Sequence, residues 1–176
     1  MPDLFRGEPW SLVNFPPPDK EVFSAWINSA GNWETKIRES LATVMDHMRN
    51  SMGAAVFGVV GFCWGGSVAM RAAGLGAEAG IKATVSVHPA FLHEELAAEV
   101  KVPMLIMPSK TDPDHLPIKA ILDKKPFGKE CAYKRFDNMH HGFCAARGDW
   151  SVPEQAARAT ECIGMIERFM LIHVKG

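Results

Sequence analysis

The segment Val59-Val60-Gly61-Phe62-Cys63-Trp64-Gly65-Gly66-Ser67 constrains this chain more than any other. A short apolar run, Val56 to Val60, leads into Gly-x-Cys-x-Gly-Gly and out into a stretch of small helix formers that reaches Ala73 before Gly74. That order reads as a buried strand, a sharp turn and a helix. A residue at the apex of such a turn sits on strained backbone, and small flanking residues let the turn close without clashes. The helix N-terminus beneath it favours a thiolate and offers a backbone N–H to a developing oxyanion. Cys63 is therefore a candidate nucleophile. The Trp64 amide is the matching candidate oxyanion donor, and its indole is a candidate pocket wall.

The rest of the chain repeats the alternation. Residues 82–87, 102–107 and 131–136 are apolar strand-like runs. Helical segments are predicted at 65–73, 92–100 and 116–124. Pro153 behind Ser151 marks a helix start, and Ala156, Ala159, Ile163, Ile166, Phe169 and Met170 give the final helix one apolar stripe. Strands and helices alternating at this spacing imply parallel strands, so the predicted class is α/β, with about four strands flanked by helices. Upstream, a helical stripe runs from Lys36 to Met48 and stops near Asn50 and Gly53. Residues 1–33 combine Pro2, Pro9 and Pro16-Pro17-Pro18 with Phe5, Trp10, Phe15, Phe23, Trp26 and Trp33. The prolines argue against regular helix or central strand there, while the aromatics want burial, so an ordered, packed loop is expected. A length of 176 residues suits one domain, 1–176.

Two later positions fit the same geometric template. In α/β-hydrolases the order along the chain is nucleophile, acid, base. The strand ending at Met107 leads into Pro108-Ser109-Lys110-Thr111-Asp112-Pro113-Asp114, and the strand ending at Phe136 leads into Asp137-Asn138-Met139-His140-His141-Gly142-Phe143. Asp112 and Asp114 are both candidates for the acid, and His141 for the base.

With these residues in place, the chain resembles the dienelactone hydrolase (carboxymethylenebutenolidase) family, in its eukaryotic form. The residues that carry the likeness are Pro2 to Trp10, Gly61-Phe62-Cys63-Trp64-Gly65-Gly66, His88-Pro89-Ala90-Phe91 and His141-Gly142-Phe143. The resemblance implies a hydrolase of small esters or lactones that works through a thioester acyl-enzyme and needs no cofactor. Cys63 would be the nucleophile, His141 the general base and Asp112 the orienting acid, with the count from Pro103 favouring Asp112 over Asp114. Arg6, Trp64, His88 and Phe143 are the implied substrate-binding residues. Family members usually carry further strands before Pro-Asp-Leu-Phe, where this chain starts. A truncated parallel sheet is therefore expected, lacking the loop that gives the second oxyanion N–H and leaving the Val56–Val60 strand with an open edge. That edge predicts a homo-oligomer or a subunit of a larger assembly. It also supplies the alternative function, a catalytically impaired relative retained for binding or structure.

Charge and composition narrow the classes. Nineteen Lys and Arg against twenty Asp and Glu leave a net charge of -1, which gives no footprint for nucleic acid or an anionic membrane. No apolar run approaches a membrane span, and the start lacks a secretory signal, so a cytoplasmic protein is expected. Cys131, Cys144 and Cys162 read as small buried hydrophobes. His88, His93 and His115 lack metal-ligand spacing, so no metal site is expected. His140 reads as a loop residue, and Arg147 fits poorly as a partner for a substrate carboxylate.

Overall fold

Asp19 decides how the first helix begins. Its carboxylate accepts hydrogen bonds from the amides of Glu21 (2.7 Å) and Val22 (3.2 Å), and α1 follows as Lys20–Ala30. The expectation of a helix-free loop over residues 1–33 is corrected here, because the last proline, Pro18, lies upstream of this cap and restricts nothing beyond it. The aromatics do cluster: the Trp26 ring centroid lies 4.9 Å from Phe5, 5.4 Å from Trp10 and 5.9 Å from Phe23. Asn32 caps a single π-type turn, Trp33–Ile37, which passes directly into α2, Arg38–Met52. The predicted stripe appears as buried Ile37, Leu41 and Met45. Gly53 ends α2 in the left-handed conformation, φ 66°.

The computed structural model describes residues 1–15 and 17–175; Pro16 of the predicted proline run and the terminal Gly176 lie outside the described residues. Backbone contacts divide the chain into two compact units, Met1–Ala54, which holds α1 and α2, and Ala55–Gly176.

The second unit is the α/β part. Its elements are β1 (Phe57–Phe62), α3 (Gly65–Leu75), β2 (Ile81–Val87), α4 (Glu94–Glu99), β3 (Met104–Met107), α5 (Leu116–Leu122), β4 (Ala132–Tyr133) and α6 (Pro153–His173). The four strands are parallel and lie in the order β1-β2-β3-β4. β3 is buried along its whole length and β2 nearly so, as expected for parallel strands covered on both faces. Val85, Val87, Leu105 and Met107 share one core with Cys162 and Phe169 of α6 and with Phe136 and Phe143. Among the described residues no helix is long and apolar enough to cross a membrane.

Several predicted boundaries shift: β1, expected over 56–60, runs Phe57–Phe62, and two further shifts have a local cause. α3 passes through Gly74 and stops at Gly76 instead, where φ is 69°. β4 is shorter than the predicted 131–136 run. Its ladder pairs Leu105 with Ala132 and Ile106 with Tyr133, then resumes as one bridge between Ser109 and Phe136. Between them lies Pro108, whose carbonyl accepts from the Phe136 amide at 2.8 Å but which has no N–H to give back.

Candidate active site

Cys63 occupies the turn between β1 and α3 with φ 54°, a left-handed value that is uncommon for a residue with a side chain and costs about 1–3 kcal/mol. Three backbone hydrogen bonds hold it there. Its amide donates to the Val87 carbonyl (3.1 Å), and its carbonyl accepts from Gly66 (2.9 Å) and Ala90 (3.0 Å). The flanking glycines are required by close approach. A Cβ at position 61 would lie 1.8 Å from the Gly65 carbonyl oxygen, and one at position 66 would lie 2.7 Å from Pro89 Cβ. The Ser86 hydroxyl donates to the Gly66 carbonyl (2.8 Å) and ties the first turn of α3 to β2. The result is an exposed thiol at the N-terminal end of an 11-residue helix.

The loops after β3 and β4 bring the other two residues together. Asp112 Oδ1 lies 2.6 Å from His141 Nδ1, and Asp112 Oδ2 accepts from the Ser109 amide at 2.7 Å. The carboxylate is nearly inaccessible, with 3% of its side chain exposed against 26% for His141. Burial alone raises the Asp112 pKa, but the hydrogen bonds from His141 and Ser109 outweigh it and hold the carboxyl below its ordinary value. His141 moves the other way, up to about 9, first through its hydrogen bond to Asp112 and then through the influence of Cys63. Of the two acids left open by the sequence, Asp112 makes this contact. Asp114 instead accepts from the Leu116 amide (2.9 Å) at the start of α5.

Further bonds between the two loops fix their relative position. The Lys110 amide donates to the Met139 carbonyl (2.8 Å), and the His141 amide donates to Thr111 Oγ1 (3.0 Å). Sequence reasoning did not single out Ser109, Thr111 or Arg135, the last of which donates to the Asp112 carbonyl at 2.8 Å. A Ser and a Thr within three residues of an acidic candidate are the only trace of this in the sequence, because such side chains commonly organise turns around a carboxylate.

The remaining candidates are placed as follows. Trp64 caps α3 and is half-buried. His88, with φ 33°, is only 1% exposed, and its ring packs edge-on to His141 at 5.1 Å and near Phe62 and Phe143, each at 5.8 Å. Burial, reinforced by His141, pushes its pKa down to about 4, so it is a neutral imidazole at neutral pH. Phe143 has no exposed surface and packs on Phe136 with centroids 5.0 Å apart. The expectation that Phe143 touches substrate is therefore corrected: its ring sits in the core beneath His141's loop. Arg6 belongs to the first unit, where its guanidinium donates to Ser40 Oγ (2.9 Å) and Glu39 Oε2 (3.2 Å). His140 turns away from the pair, with Nε2 3.0 Å from the Arg147 carbonyl. A cleft of about 420 Å³ opens between the starts of α4 and α5, lined by His93, Glu94, Asp114 and His115 among others. Among the described residues no three His, Cys, Asp or Glu side chains are grouped to hold a metal ion.

The chain is similar to known proteins. Residues 1–170 match the dienelactone hydrolase family. An uncharacterized AIM2 family protein of Schizosaccharomyces pombe is 32% identical over 180 residues, which cover 96% of this chain and 69% of that protein. A carboxymethylenebutenolidase homolog of Mus musculus is 31% identical over 149 residues, 81% of this chain and 57% of that one. Among solved structures, a dienelactone hydrolase-like promiscuous phosphotriesterase from metagenomic libraries superposes with a TM-score of 0.57 at 19% identity, covering 87% of this chain and 66% of that chain, a likeness of fold. The chain thus spans less than two thirds of the mouse protein and of the solved structure. The family match supports a hydrolase function, and the parallel sheet flanked by helices agrees with the fold of the solved structure. The chain belongs to the dienelactone hydrolase family.

Proposed function

We propose that this chain hydrolyses small esters or lactones by covalent catalysis at Cys63. The observation that carries the reading is the convergence of a thiol on a left-handed turn (φ 54°) with a His141 whose other ring nitrogen is 2.6 Å from Asp112. The Cys63–His141 pair reacts with the shared proton held on the imidazole, and the thiolate attacks the substrate carbonyl carbon. The negative charge that forms on the carbonyl oxygen is met by the Trp64 amide at the start of α3. Collapse breaks the C–O bond, the leaving alkoxide takes the proton from His141, and a thioester on Cys63 remains. Water then gives a proton to His141 and attacks the thioester; the acid leaves and the proton returns to sulfur. Asp112 holds the imidazole in the tautomer and orientation this exchange requires. Trp64 and His88 border the reacting centre in this reading. A reducing, cytoplasmic setting belongs to it, because it keeps Cys63 a thiol.

Alkylation tests the nucleophile. Iodoacetamide at pH 7 is expected to label Cys63 well ahead of Cys131, Cys144 and Cys162, as followed by peptide mass mapping. Equal labelling of all four, or labelling only after denaturation, would overturn the reading.

One observation favours the second reading, a subunit role. Among the described residues β1 pairs only with β2, and Val60 and Phe62 on it are each 37% exposed. An open strand edge beside apolar side chains recruits another strand, and the partner offered by symmetry is a second copy of this chain. Light scattering at micromolar concentration should then give a mass of at least twice the monomer; a stable monomer would exclude it.

A further inference from the structure

Arg135 follows β4 on the extended segment that leads to His141, and its side chain turns back onto the loop after β3. Nη2 donates to the carbonyls of Lys110 (3.0 Å) and Asp112 (2.8 Å), and Nη1 donates to that of Pro113 (3.1 Å). Nε meets Asp137 Oδ1 at 3.1 Å. The Asp137 side chain is 80% exposed against 24% for Arg135, so this ion pair contributes little. The bonds that matter end on backbone carbonyls, three of them within the four residues 110–113. A loop without regular structure has to find partners for such groups, and the planar, five-donor guanidinium reaches several at once where an ammonium offers a point charge.

The loop's internal bonds leave a task for this residue. The Ser109 amide holds the Asp112 carboxylate, and the Asp112 amide returns to the Ser109 carbonyl at 3.3 Å. These bonds fix the carboxylate relative to its own turn. The bonds from Arg135 fix the far limb of that turn, residues 112 and 113, against the segment that continues into the base.

We propose that Arg135 is a positioning residue, a clamp that sets the tilt of the 110–113 loop so that the Asp112 carboxylate meets His141 Nδ1. The proposal rests on the Cys63-His141-Asp112 reading for its catalytic meaning, but its geometry is tested without turnover. The guanidinium is expected to act through the loop alone, because Cys63, His88 and Asp112, the groups that face His141, are unchanged when Arg135 is replaced.

The experiment compares wild type with Arg135→Gln and Arg135→Lys by NMR titration of the His141 ring, alongside kcat and KM on a small activated ester. In Arg135→Gln the His141 midpoint should fall from about 9 toward 6.5, kcat should drop ~10–100-fold, and KM should stay within about twofold, since the lost interaction positions the machinery and not the substrate. Millimolar guanidinium ion should restore part of both changes. Arg135→Lys should fall between, and it decides the matter if the Gln variant does not fold. A folded Arg135→Gln, or a Lys variant, with the wild-type midpoint and kcat would overturn the clamp. A wild-type protein that turns over no ester would defeat the hydrolase reading, while the titration would still report on Arg135.

Discussion

The turn that carries Cys63 and the two loops that carry Asp112 and His141 are built on opposite principles. Cys63 is placed by exclusion: glycines where no Cβ fits, a backbone forced to positive φ, and backbone hydrogen bonds to Val87, Gly66 and Ala90. Asp112 and His141 are placed by polar side chains. Thr111, Arg135 and the pair itself supply hydrogen bonds that cross between loops, and the Ser109 amide holds the Asp112 carboxylate within its own turn. Steric placement tolerates almost no change and is indifferent to pH. Polar placement degrades in steps and depends on protonation.

The largest effect should come from Gly61→Ala. Its Cβ would sit 1.8 Å from a backbone oxygen that belongs to the first turn of α3, so the strand and helix would have to separate. Loss of more than ~4 kcal/mol, or failure to accumulate as folded protein, is expected in denaturant titration. A variant within 1 kcal/mol of wild type, as an order of magnitude for a tolerated change, would show that the turn is not sterically determined.

Asp112→Asn should leave the fold intact and strike the chemistry, lowering kcat ~10⁴-fold on an activated ester by orienting the imidazole wrongly. It also has a pH signature. His141 has its folded pKa raised to about 9 from 6.5, so its stabilisation is full below 6.5 and is lost as pH rises through 9. Asp112 has its pKa lowered, so its part is present above the ordinary carboxylate value and is lost on strong acidification. The gap between wild type and Asp112→Asn should therefore be widest near pH 5–6, about 2 kcal/mol, and should close toward pH 9 and above. A gap that stayed constant with pH, measured by urea titration, would break the contrast between the two regions.

The same contrast explains what could be read from the chain. The Cys63 turn was legible because steric demands leave a mark on residue type: Gly61 and Gly66 on either side of one Cys are visible in sequence. So was the four-stranded parallel sheet, from its short apolar runs. Polar placement leaves weaker marks. Asp112 and Asp114 stood two residues apart after one strand, and only the loop's path separates a partner for His141 from an acceptor for the Leu116 amide. Arg135 looked like one more residue of a strand, because the interruption at Pro108 acts across the sheet and not along the chain. Phe143 was assigned to the substrate by its place beside His141, but whether an aromatic next to a loop faces out or in depends on packing with Phe136. α1 was missed because the weight given to the prolines was carried past the cap at Asp19, through to residue 33.

The strand order has a consequence for how the protein comes into being. Because β1, β2, β3 and β4 lie side by side in the order in which they are synthesised, each can dock on the one before it, and no strand has to wait for a distant partner. The sheet can grow outward from β1 as a nascent chain lengthens. His141, however, is added only after the last strand, so under the proposed mechanism the thiol is in place well before its base. During that interval Cys63 would lack the group that holds its proton, and the proposed nucleophile would pass through synthesis dormant.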